Sequence, residues 1–130
     1  MEQQDLSYTV TTAKDFEAAV KAVEEAAATQ GMKVQHVHDV QVTLRSNGYA
    51  SDPLKIIEIC NARYAHEVLA KDILISLMMP CKINVYVRDG KTYISALRPT
   101  LLAQFFPHAE LKEVANQVDA KIRAIVDAAR

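Results

Sequence analysis

Asp89 and Gly90 separate two runs that alternate apolar and polar residues, "KINVYVR" before them and "KTYISAL" after. A two-residue loop of this kind needs positive φ at both positions, which Asp and Gly tolerate, and it joins only antiparallel neighbours. The chain is therefore expected to contain an antiparallel sheet in which each strand offers one face to a core. Ile83, Val85 and Val87 share one such face, and something must cover it.

Two amphipathic segments near the chain ends can do so. Phe16, Ala19, Val20, Val23, Ala26 and Ala27 recur at helical spacing, Thr12 and Asp15 stand as in a capping box, and Gly31 closes the helix. Leu111, Val114, Ala115, Val118, Ile122, Ile125 and Val126 mark one face of a second helix, expected from Pro107 onward.

Further strands lie between them. "YTVTT" predicts a short strand from Tyr8 to Thr11 or Thr12. "MKVQHVHDVQVTLRSNG" predicts a long one. Val34, His36, His38, Val40, Val42 and Leu44 fall on one face, and Lys33, Gln35, Asp39, Gln41 and Thr43 on the other. "LKIIEIC" follows the turn residues "SNG" and "SDP". "ARYAHEVLAKD" has helical spacing at Tyr64 or Ala65, Val68, Leu69 and Ile73, a small helical insert between the third and fourth strands. "RPTLLAQFFPHAE" reads as an apolar connection. Residues 1–130 are thus expected to form a single two-layer α+β domain of order β-α-β4-α.

Charge excludes some partners. Fifteen basic and sixteen acidic residues give a net charge of -1, so there is no footprint for nucleic acid or anionic lipid. The longest apolar stretch, around "ILISLMM", falls short of the roughly 20 residues that a membrane helix needs. "MEQQDLSYTV" has no basic region followed by an apolar one. The expectation is a cytoplasmic protein with no membrane partner and two reduced cysteines.

"CNARYAHEVLAKD", then "LMMPCKINVYV" and "SALRP", resemble the central motif of the domain-of-unknown-function 302 (DUF302) family. That motif is a Cys-Asn-Pro, a short helix with Ala and Leu, a Leu-Pro-Cys entering a strand, and a later Pro. The resemblance spans almost the whole chain. It implies a fold similar to one repeat of the TATA-binding protein, often in homodimers, and it brings no agreed catalytic residues. Ala62 stands where the family usually has Pro, which leaves the start of the insert less rigid. DNA binding by analogy of fold is not expected, because the solvent-side positions Lys33, Gln35, Asp39, Gln41 and Thr43 are mixed rather than basic.

Candidate chemistry is sparse. No Gly-rich phosphate loop, nucleophile elbow or paired metal motif occurs, and His66-Glu67 lacks the second His of a zincin helix. His36 and His38 share a strand face by parity and could ligate a metal, unless a bulge sends one of them to solvent. Cys60 and Cys81 flank the insert, so they are expected to be neighbours, although they fall on opposite faces if Ile57 and Ile59 form the core set. With His66 they could hold a soft metal such as copper or zinc, act as a redox pair, or serve only as small buried hydrophobes. Phe105 and Phe106 could cover a small-ligand pocket or form an interface. The long strand and the apolar "LLAQFF" segment together predict a homodimer.

Overall fold

The computed structural model describes residues 6–130. Its five strands are β1 (Ser7–Thr12), β2 (Lys33–Asp39), β3 (Leu54–Cys60), β4 (Cys81–Arg88) and β5 (Lys91–Leu97). Its helices are α1 (Phe16–Thr29), α2 (Val40–Ser46), α3 (Ala62–Lys71), α4 (Thr100–Phe105) and α5 (Lys112–Ala129), with 3-10 segments at Ile73–Met78 and Pro107–Ala109. The strands form one antiparallel sheet in the order β1-β5-β4-β3-β2. Asp89 and Gly90 both have positive φ, 52° and 75°, at the β4–β5 turn.

The sheet is two-faced because side chains alternate along each strand. Ile57, Ile59, Ile83, Val85, Ile94 and Ala96 are fully buried on the face covered by α1 and α5. From α1 come Ala19, Val20, Val23 and Ala27, and from α5 Val118, Ile122, Ile125 and Val126. This is the expected two-layer α+β arrangement. On the other face Tyr86 and Tyr93 stack with ring centroids 5.3 Å apart. The Tyr86 hydroxyl shares a 2.9 Å hydrogen bond with Ser95 there.

Several local expectations are corrected. The long strand stops at Asp39, and Val40–Ser46 is the helix α2, capped by the Asp39 side chain accepting from the Val42 amide at 3.1 Å. β2 is an edge strand, and Asp39 pairs with Lys55 next to the start of β3, so the residues beyond it have no partner strand. A bulge lies between Val34 and His36. It turns Val37 toward the core beside Val34 and puts both histidines on the exposed face, rather than releasing one.

Asp15, not Thr12, caps α1, its carboxylate accepting from the Ala18 amide at 2.8 Å. The closing helix begins at Lys112, because Glu110 adopts a left-handed conformation after the short 3-10 turn. Within the connection before it, Thr100–Phe105 is helical.

Candidate functional site

β3 ends, β4 begins and β5 ends at the same end of the sheet, as the pairs Ile59 with Cys81 and Ile83 with Ala96 require. A cavity of about 60 Å³ lies there. The insert α3 and the 3-10 segment wall one side through Tyr64, Val68 and Met78; α4 and α5 contribute Leu102, Val114 and Val118. Met32, Ile59, Cys60, Cys81 and Arg98 complete most of the lining. Arg98 Nε lies 3.4 Å from Asp119 Oδ1, a carboxylate buried on α5.

Asn61 sets the position of the insert. Its side-chain oxygen caps α3, accepting from the Arg63 and Tyr64 amides at 3.0 and 3.2 Å. Its amide nitrogen donates to the Gly31 carbonyl at 3.0 Å, tying the insert to the α1–β2 turn. Gly31 has φ of 73°, a conformation glycine adopts freely. One side chain therefore holds Tyr64 and Met32, on two walls of the cavity, in fixed relation.

The two cysteines are free thiols. Cys81 stands on the core face opposite Ile59, and burial, helped by the nearby Cys60 charge and opposed by Lys82, pushes its pKa up to about 11. Burial also raises that of Cys60. Strand alternation sends the Cys60 side chain toward the other face, beside Lys33 on β2, although the residue still borders the cavity at the end of its strand. Neither thiol is set up as a ready thiolate.

The remaining candidates lie elsewhere. His66 is exposed on α3 and does not line the cavity. His36 and His38 pack edge to face, 4.3 Å between centroids, on the exposed side of β2, where His38 Nε2 meets Glu58 at 3.1 Å. Phe105 is exposed, while Phe106 packs against the core, and neither borders the cavity. Among the described residues, no group of three or more His, Cys, Asp or Glu side chains could hold a metal ion.

No sequence pattern marks Met32 and Met78 as wall residues, although Met78 falls within the "LMMPC" stretch of the family motif. Only the register could have found them. Met32 precedes Lys33, which pairs with Cys60, and Met78 lies three residues before Cys81.

No helix among the described residues is long and apolar enough to cross a membrane. A comparison with curated proteins gives no match. A family model described as domain of unknown function DUF302 matches residues 8–129. The chain is also similar to a solved structure, that of an uncharacterized conserved DUF302 protein from Bacillus stearothermophilus. The two are 30% identical with a TM-score of 0.90, over 96% of this chain and 98% of that one. The motif around Asn61 is thus the capped entrance to the insert, and the chain that carries it belongs to the DUF302 family.

Proposed function

We propose that this domain is a binding protein whose site is the cavity at the end of β3, β4 and β5, and that its guest is small and polarisable. The observation that carries this reading is the combination of volume and lining. Organic ligands and cofactors occupy pockets of roughly 300–1,000 Å³, whereas this cavity offers about 60 Å³ and is walled mainly by apolar and sulfur-bearing side chains. A thiol-dependent redox role is less well supported. With its pKa at about 11, Cys81 is ionised in only about one molecule in ten thousand at pH 7.

Xenon is a suitable probe, because it enters small apolar cavities and needs no hydrogen bonds. Methyl resonances of Ile59, Val68, Val114 and Val118 are expected to shift on pressurising the protein with xenon, while those of Val20 and Val126 stay still. An unchanged spectrum rejects the reading.

The domain is also proposed to act as a homodimer. Ile73, Leu74 and Leu77 on the 3-10 segment are 69%, 56% and 81% exposed, a contiguous apolar patch of the kind that marks a contact surface. Lys71, Asp72 and Glu110 lie around it, with the Lys71 ammonium donating to the Glu110 carbonyl at 3.0 Å. A rim with both signs can meet itself across a two-fold axis. Sedimentation is expected to give a dimer that Leu77→Asp converts to monomer. A monomeric wild type at high micromolar concentration ends this proposal.

A further inference from the structure

The chemistry of the cavity wall narrows the guest. Four sulfur-bearing residues line it: Met32 from the turn before β2, Met78 from the 3-10 segment, Cys60 at the end of β3 and Cys81 at the first position of β4; strand alternation directs the Cys60 side chain toward the other face, which leaves three. Among the described residues, no His, Asp or Glu lines the cavity. Hard cations prefer oxygen and zinc commonly takes imidazole with thiolate, but thioether and thiolate donors together select copper(I).

Building on the reading of the cavity as a binding site, we propose that its guest is copper(I), held by the Cys81 thiolate and the thioethers of Met32 and Met78. Charge balance supports a monovalent ion. One copper(I) displaces one proton from the Cys81 thiol and forms one sulfur–copper bond, so the loaded site is neutral. A divalent ion would leave a positive charge among Ile59, Val68 and Leu102 and near the Arg98 guanidinium, whose own charge is met by Asp119. The volume also suits an ion better than an organic group, and the largely apolar lining favours an ion that needs no water ligands. Cys60 is not among the ligands, because strand alternation turns its side chain away from that of Cys81.

The test is anaerobic titration of the full, reduced chain with copper(I) in competition with bicinchoninate. One equivalent is expected to be withdrawn from the chelator. Met32→Leu and Met78→Leu conserve volume and so preserve the fold; each is expected to weaken binding about tenfold or more, since each removes one of three donors. Cys81→Ala should abolish binding, Cys60→Ser should leave the stoichiometry at one, and zinc(II) should not compete. Copper(I) left entirely with the chelator overturns the proposal, as does wild-type affinity in both methionine variants. Xenon binding separates the two readings: a cavity that takes xenon but no copper(I) refutes the ion and leaves the site, whereas loss of both refutes both.

Discussion

Ile59 of β3 stands directly across from Cys81 of β4, and both face the helices. Because side chains alternate, Cys60 must then face away, although it is the next residue along β3. The two cysteines therefore meet at one end of the sheet from opposite sides, and they should differ in chemistry although they are near neighbours.

Alkylation measures that difference. Cys81 reacts only through its thiolate, whose fraction rises about tenfold per pH unit while the pH stays below its pKa of about 11. Modification of the native protein by iodoacetamide, followed by mass spectrometry, should find Cys81 nearly inert at pH 7 and tenfold faster at each unit up to pH 10. A plateau near pH 8 would show an activated thiol.

The same shift makes a statement about stability. The Cys81 thiol titrates near 9.0 when unperturbed and at about 11 in the fold, so the folded state favours the neutral form. Its contribution is fully present below pH 9 and is lost as pH rises through 11, about 3 kcal/mol in all at about 1.4 kcal/mol per unit. Urea unfolding of wild type and Cys81→Ala should therefore show a stability gap that is constant from pH 7 to 8.5 and narrows above it. The Tyr8 hydroxyl, which donates to Asp127 at 2.6 Å and has a raised pKa, destabilises both proteins alike at high pH and cancels in the difference.

Much of this fold was legible because its signals are local. The Asp89-Gly90 turn, the period-two runs of β4 and β5, the apolar segment of β3 and the apolar faces of α1 and α5 are each written in a few consecutive residues. β2 shows where that fails. "VQVTLRS" alternates β-branched residues as a strand would, yet it lies beyond the reach of β3, and an unpaired strand leaves its backbone bonded only to water, whereas a helix capped by Asp39 bonds it internally. The bulge at Val34 and His36 likewise depends on the pairing with β3 rather than on any residue type. The candidate site was less legible. Cys60, Cys81 and the insert could be named, but Met32 and Met78 reach the cavity only through tertiary packing, and His66, next to Ala65 of the wall, falls on the exposed side of α3.

Burial of the core face carries its own prediction. Val23 is fully buried on α1 between the sheet and α5. Val23→Asp places an unpaired carboxylate there at a cost of several kcal/mol or more, comparable with the ~5–15 kcal/mol that holds a whole domain. The variant should fail to show a cooperative thermal transition. Val42→Asp is the control, because Val42 is 58% exposed on α2, and should melt within a few degrees of wild type.

Ala62 tests the departure from the family motif. It is the first residue of α3, the helix position at which Pro is best tolerated, since the first amide of a helix has no partner within it and the φ that Pro fixes suits a helix start. The preceding Asn61 has φ of -118° and ψ of 120°, the extended conformation required of a residue before Pro. Ala62→Pro should therefore raise stability by about 0.4–1 kcal/mol through the unfolded chain's lost freedom, leaving the native contacts in place. Denaturant midpoints of the two proteins decide it, and a lower midpoint for the variant would mean that the entrance to the insert is not built as described.

Asn61 itself divides into two functions that two substitutions separate. Asn61→Asp keeps an oxygen that accepts from the Arg63 and Tyr64 amides, and adds negative charge at the helix start, where it is favourable. It loses only the amide that donates to Gly31. Asn61→Ala loses both. If the cap is the larger part, Asn61→Ala should cost about 1–2 kcal/mol and Asn61→Asp well under 1. If the tie to Gly31 holds the cavity walls together, Asn61→Asp should instead perturb the methyl resonances of Val68 and Met32 as much as Asn61→Ala does, at little cost in stability. Unfolding curves and methyl spectra of the same two variants measure the two roles separately, because the cap stabilises α3 alone while the Gly31 bond spans the insert and the turn before β2.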